Sequence, residues 1–256
     1  MESTAVDDLS KPGLGLFLSD FPRAAGDFGM FVATRRLLLR APRGDGHPVL
    51  VLPGLLAADS STRPMRRYLR ELGYHVHGWR LGRNIGPTEE LVMGMGHRLD
   101  ELLERHGRKL SVIGWSLGGI YARAIAQLRP GDVRSVITLG SPFRMTDGSR
   151  SRAHRTYQRY ASRHIDGGRL RSGIASGPLD VPSTAVFTKM DGIVSWRACI
   201  DEESPIAENL QVYGSHAGLG HNPAVLWAIA DRLAQPEGSW RPFVPPRRLR
   251  RLYPGR

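Results

Sequence analysis

The sequence holds a single cysteine, Cys199, so no disulfide can close within the chain. That fits a reducing compartment. No apolar run approaches the roughly 18 residues of a membrane span. Residues 1–8 are acidic and lack the basic start and apolar stretch of a signal peptide, and the apolar run 13–18 is too short to supply one. The expectation is a soluble, cytoplasmic protein. No Walker or G-x-G-x-x-G pattern is present, and the Cys/His spacing fits no zinc site. Neither cofactor nor metal is expected.

Lysine is scarce too: Lys11, Lys109 and Lys189 stand against 33 arginines. The formal net charge is +12 and the pI about 10.7. A balance this basic invites a nucleic-acid reading, and its placement argues against one. Residues 144–171 carry eight Arg and two Asp, and residues 241–256 carry six Arg and no acid. Each stretch holds +6, so the rest of the chain is neutral and no nucleic-acid partner is expected. Two readings of the surplus stay open. One is a weak contact of these appendages, the tail above all, with an anionic surface or substrate. The other is solvated arginine serving solubility.

Hydrophobic residues make up 41% and charged residues 23%, which suits a globular chain. The patterning alternates strands and helices. Apolar runs at 47–54, 74–79, 109–115, 133–139, 183–188 and 209–213 read as strands. Helices are expected at 63–72, 87–106, 117–128 and 222–233. The first would be capped by Ser61 or Thr62, with Pro64 in its first turn; the last would be capped by Asn222 with Pro223 at its first position. Alternation of this kind implies an α/β fold, a mostly parallel sheet with helices on both faces. Three regions break the pattern. Residues 1–35 read as an irregular N-terminal arm with a short helix, followed by an edge strand at 36–40. Residues 141–182 read as a lid-like insertion with a helix near 152–162. Residues 241–256 read as a Pro/Arg-rich tail beyond a domain at 36–240.

The sharpest motif is Gly114-Trp-Ser116-Leu-Gly118-Gly119. It follows an apolar strand and opens a helix, which is the context a nucleophile elbow requires. Glycines flanking Ser116 allow a tight turn, and the Leu117 N–H points where an oxyanion would form. With PVLVLPG, ITLGSPF, FTKMDGIV and GSHAGLGHNP, the chain resembles the α/β-hydrolase family, most of all small bacterial esterases and lipases. The resemblance covers roughly residues 48–236.

It implies an α/β-hydrolase fold, a small-molecule ester substrate and the order nucleophile, acid, histidine. Ser116 takes the first place. Asp191 takes the second, with Asp180, Asp201, Glu202 and Glu203 as rivals. His216 takes the third, with His221 as rival. The family's usual His-Gly pair is Pro53-Gly54 here, and the second oxyanion donor is placed on the Leu55 N–H, with Leu56 its neighbour. The implied reaction is hydrolysis of a carboxylic ester through an acyl-enzyme. A thioesterase or acyltransferase would use the same residues, and a basic non-catalytic binding module is the non-enzyme alternative. Tyr157, Tyr160, Ile165 and Leu170 of the insertion either line an acyl pocket or merely pack it against the core. Asn84 is a further candidate to face the site.

Overall fold

The computed structural model describes residues 11–145, 151–164 and 175–256. Six strands form one sheet: β1 (Pro48–Leu52), β2 (His75–Gly78), β3 (Leu110–Trp115), β4 (Val133–Leu139), β5 (Ser183–Phe187) and β6 (Ala207–Gln211). Their order is β2-β1-β3-β4-β5-β6, and every pairing is parallel. β1, β3 and β5 are buried along their whole length, as a sheet covered on both faces demands. Along β1, Val49 and Val51 face one core cluster and Leu50 and Leu52 the other. This is the α/β-hydrolase fold.

Helices α2 (Asp59–Glu71) and α6 (Pro223–Leu233) cover one face, together with part of α1 (Leu14–Leu38). Helices α3 (Glu89–His106) and α4 (Leu117–Leu128) cover the other. The expected stop of α3 and the expected cap of α6 are in place. Thr88 caps α3 by accepting from the Leu91 N–H, and Gly107 ends that helix in the left-handed conformation. Asn222 caps α6 by accepting from the Ala224 and Val225 N–H groups. Helix α4 runs over the expected residues.

Three local expectations are corrected. Helix α2 begins four residues early, and Pro64 lies inside it. Ser61 and Thr62 do not cap it; their hydroxyls donate back to the Ala58 and Asp59 carbonyls. Asp59 instead turns its carboxylate to the Trp79 and Arg80 N–H groups after β2. Second, the N-terminal segment is no irregular arm and 36–40 is no edge strand: residues 14–38 form one 25-residue helix, α1. Four glycines (13, 15, 26 and 29) and Pro22 hide it from a propensity reading. Third, the insertion's helix is shorter than expected, α5 at His154–Gln158 followed by a 3-10 turn at Ala161–Arg163. Ile165 and Leu170 lie outside the described residues.

The Arg-rich C-terminus is packed on the domain. Phe243 and Tyr253 are each 1% exposed and join the core cluster under α6. The Tyr253 hydroxyl donates to the Ala224 carbonyl. Buried Glu208 holds the segment by accepting from the Phe243 N–H and from Arg256, and it also pairs with Arg232. Apolar contact and a buried carboxylate therefore fix residues that composition assigned to solvent. Tyr253→Ala should lower the unfolding free energy by about 3 kcal/mol, measured by urea denaturation.

Candidate active site

The strand order reverses between β1 and β3, and a crevice opens there beyond the carboxyl ends of the strands. The loops after β1 and β3 flank it. The turn after β3 puts Ser116 at φ 53° and ψ −119°, a strained conformation for a residue with a side chain. Ser116 is held there by its N–H, which donates to the Leu139 carbonyl at 2.8 Å. The motif glycines are required by contact. A Cβ on Gly114 would lie 2.3 Å from the Gly118 carbonyl oxygen, and one on Gly119 would lie 1.9 Å from Ser141 Oγ.

Asp191 and His216 come from the loops after β5 and β6. The His216 Nδ1–H donates to Asp191 Oδ2 at 2.6 Å, so Nε2 carries the lone pair. The Ser116 hydroxyl donates to that Nε2 at 3.0 Å. The other carboxylate oxygen of Asp191 accepts the Ile193 and Val194 N–H groups, both at 2.8 Å. Gly140, at φ 55°, leaves room for the imidazole: a Cβ there would lie 3.1 Å from His216 Nδ1. Burial lowers the pKa of His216, but the charge and hydrogen bond of Asp191, with the charge of Asp20, outweigh it and leave it raised.

The rivals are engaged elsewhere. Asp201 forms a buried two-pronged pair with Arg123 and accepts from Ser183. Asp180, Glu202 and Glu203 are exposed. His221 stands edge-on to Trp115 and Phe28, away from the relay. A similar row, Asp45–His47–Ser111, lies at the amino ends of β1 and β3, with His47 2.5 Å from Asp45 and 3.0 Å from Ser111. Both His47 and Ser111 are fully buried, so no substrate reaches them.

The Leu56 N–H is committed to the Asn84 carbonyl at 2.6 Å, which leaves Leu55 as the donor candidate of that loop. Leu117 opens α4, where the first N–H groups lack partners within the helix. Asn84 does not face the site. It is buried and holds the loop: its amide donates to the Pro53 carbonyl and its Oδ1 accepts from the Gly86 N–H and the Tyr121 hydroxyl. Two cavities meet at Leu55 and Ser116. One, of about 470 Å³, is lined by Phe17, Phe21, Thr156, Ile193 and His216 among others. The other, of about 60 Å³, is lined by Ile120, Met145, Tyr157 and Val194 among others. Tyr157 thus lines a cavity beside Ser116, whereas Tyr160 lines neither.

The sequence reading missed Asp20. This fully buried residue of α1 accepts from the Gly192 N–H at 2.9 Å, the His216 N–H at 3.0 Å and the Ala217 N–H at 2.9 Å. One carboxylate thereby ties the Asp191 loop to the His216 loop. Seven residues on, Asp27 accepts from the Ser215 N–H and hydroxyl and from Asn222. No motif marks either acid; their only signal is a seven-residue spacing on a segment that does not read as helix.

No family model matches the chain, and no curated protein matches it in sequence. Solved structures do match its fold. Lipase B of Aspergillus fumigatus superposes with a TM-score of 0.58 at 16% identity, over 76% of this chain and 53% of that one. The chain thus spans about half the length of that lipase. A monoacylglycerol lipase of Paleococcus ferrophilus gives 0.53 at 15% identity, over 76% and 96%. A putative non-heme bromoperoxidase of Mycobacterium tuberculosis gives 0.51 at 17% identity, over 74% and 92%.

Among the described residues no cluster of His, Cys, Asp and Glu is arranged to hold a metal ion, and no helix is long and apolar enough to cross a membrane.

Asp20→Asn keeps the shape and removes the charge. It should lower stability by about 1.5–3 kcal/mol, because at least one loop N–H loses its charged acceptor. Thermal denaturation with and without the substitution measures this.

Proposed function

We propose that the protein is a serine hydrolase that cleaves a small-molecule carboxylic ester. The observation that carries this reading is the Asp191–His216–Ser116 hydrogen-bonded row, ending on a strained serine that opens onto an apolar cavity. The similarity in fold to two lipases supports it.

In this reading Ser116 Oγ attacks the ester carbonyl carbon while its proton passes to His216 Nε2. Negative charge gathers on the carbonyl oxygen, where the Leu55 and Leu117 N–H groups receive it. The tetrahedral adduct collapses, the carbon–oxygen bond to the alcohol breaks, and the alcohol leaves with the proton from Nε2. Water then attacks the acyl-enzyme, passing a proton to Nε2. That proton returns to Ser116 as the carboxylic acid departs. Asp191 fixes the tautomer and stabilises the imidazolium formed in both halves. Two cavities meeting at Ser116 suit an ester, which has a group on each side of the bond to be cut. Thioester cleavage and acyl transfer would use the same groups, and only a substrate panel separates them.

Wild-type protein should react with a fluorophosphonate probe, and Ser116→Ala should not, both being folded by circular dichroism. Failure of folded wild type to label would falsify the reading. A panel of p-nitrophenyl esters and matched thioesters then fixes the leaving group.

The base must be neutral, and the His216 pKa is raised above its ordinary value of 6.5. Activity should therefore rise with pH through a midpoint above 6.5 in a kcat/KM profile on p-nitrophenyl butyrate. Asp191→Asn should lower kcat by about 10³–10⁴ and move that midpoint down. A wild-type midpoint at or below 6.5 would mean that burial outweighs Asp191 and Asp20 at His216.

A further inference from the structure

Helix α1 is turned inside out. A surface helix ordinarily buries its apolar stripe and shows its charges to water. Between residues 14 and 34 the only charged residues are Asp20, Arg23 and Asp27. All three turn toward the protein, to the loops after β5 and β6. The opposite face carries Leu14, Leu18, Phe21, Ala25, Phe28 and Val32, spaced four and three residues apart along one side of the helix. The five large ones are between 45 and 66% exposed. A continuous apolar stripe of this kind on a soluble surface marks a contact site.

Two observations say what covers it. At the foot of the helix lies a cavity of about 410 Å³ lined by Lys11, Arg152, Arg155 and His154, with no carboxylate among the described lining residues. Arg152 is set there by donating to the Pro12 carbonyl and by standing 5.4 Å over the Phe17 ring. At the other end, Arg36 and Arg40 are exposed. An apolar stripe framed by cations fits a bilayer with anionic headgroups, into which an interfacial helix sinks its apolar side. A second copy of the chain would set these cations against their own kind in a protein already at +12. The stripe is also continuous with the site, because Phe21 belongs to it and to the lining of the Ser116 cavity.

We propose that the outward face of α1, with the Lys11–Arg152–Arg155 pocket at its foot, docks on an anionic phospholipid surface and sets the mouth of the Ser116 cavity against it. An apolar ester dissolved in that surface then enters without crossing water. The docking stands on its own geometry, while the use made of it rests on the ester-hydrolase reading.

Full-length protein sedimented with phosphatidylglycerol–phosphatidylcholine vesicles, and with phosphatidylcholine alone, tests this. Wild type should pellet with the mixed vesicles, less with the neutral ones, and release as salt rises. Leu14→Gln with Leu18→Gln and Val32→Gln should weaken binding to mixed vesicles at least about tenfold. Lys11→Glu with Arg155→Glu should weaken it by a similar factor of about ten, at low salt. Both variants should keep kcat/KM on soluble p-nitrophenyl butyrate within about twofold, since these side chains lie outside the Ser116 cavity. Wild type that stays in the supernatant, or variants that pellet equally well, would overturn the proposal. So would a wild-type dimer in light scattering that the Leu14/Leu18/Val32 variant dissolves, since the stripe would then belong to a second copy. Wild type that pellets but hydrolyses no soluble ester would sink the ester reading and leave the docking surface standing.

Discussion

Three backbone N–H groups, from Gly192, His216 and Ala217, converge on the carboxylate of Asp20. They belong to two loops on neighbouring strands. Beside the Thr188 hydroxyl's bond to the Gly214 carbonyl, the acid fixes how those loops sit, by giving both the same charged acceptor in a site closed to water. The His216–Asp191 bond depends on that arrangement, because its two partners ride on the two loops. The orientation of α1 follows as well. To reach the loops, the helix must turn Asp20, Arg23 and Asp27 inward, and so Leu14, Leu18, Phe21, Phe28 and Val32 are left facing out. The exposed stripe is thus the other side of the same constraint.

The arginine surplus has a structural side beyond its sum. Arg123 is buried, pairs with both oxygens of Asp201, donates to the Ala175 and Gly177 carbonyls and lies 4.0 Å over the Phe143 ring. It pins the return of the insertion to the strand that leads to Asp191. Arg134 bridges Asp45 and the Gln235 carbonyl, and Arg70 holds the Val76 carbonyl with two donors. Such fans of donors suit a planar guanidinium and would be poorly served by an ammonium. That accounts for part of the preference for arginine over lysine. The tail uses the same chemistry, with Arg256 on Glu208, so half of the net charge belongs to a segment seated on the core and not to a loose appendage.

Much of the site is legible in the sequence because its signals are local. Ser116 stands in a motif whose glycines are demanded within five residues of it, between a strand and a helix that both announce themselves. Asp191 and His216 follow apolar runs in the expected order, and Asn222-Pro223 marks the start of the helix behind them. The choice of His216 over His221 is less secure in the sequence. The structure brings His216 to Asp191 and Ser116, while His221 is held between Trp115 and Phe28. Asn84 stands out in the sequence for its place after a strand, yet its work is different from the one that place suggests. It supports the Pro53–Leu56 loop from behind.

The sequence by itself determined the layers, the strand order along the chain and the serine at the elbow. Apolar runs, helix stops and a tight glycine turn each act over a few residues, so each can be read where it stands. Only the tertiary structure decided the course of α1 and of the last sixteen residues. The glycines and Pro22 of α1 lower the propensity by which helices are recognised, and Phe243 and Tyr253 find their cavity in a surface built by other segments. In both cases the stabilising partner lies far off in the chain: 172 residues separate Asp20 from Gly192, and 29 separate Tyr253 from Ala224. A carboxylate's need for donors, or a ring's for a hollow, is written at its own position, while what answers it exists only once the chain has closed.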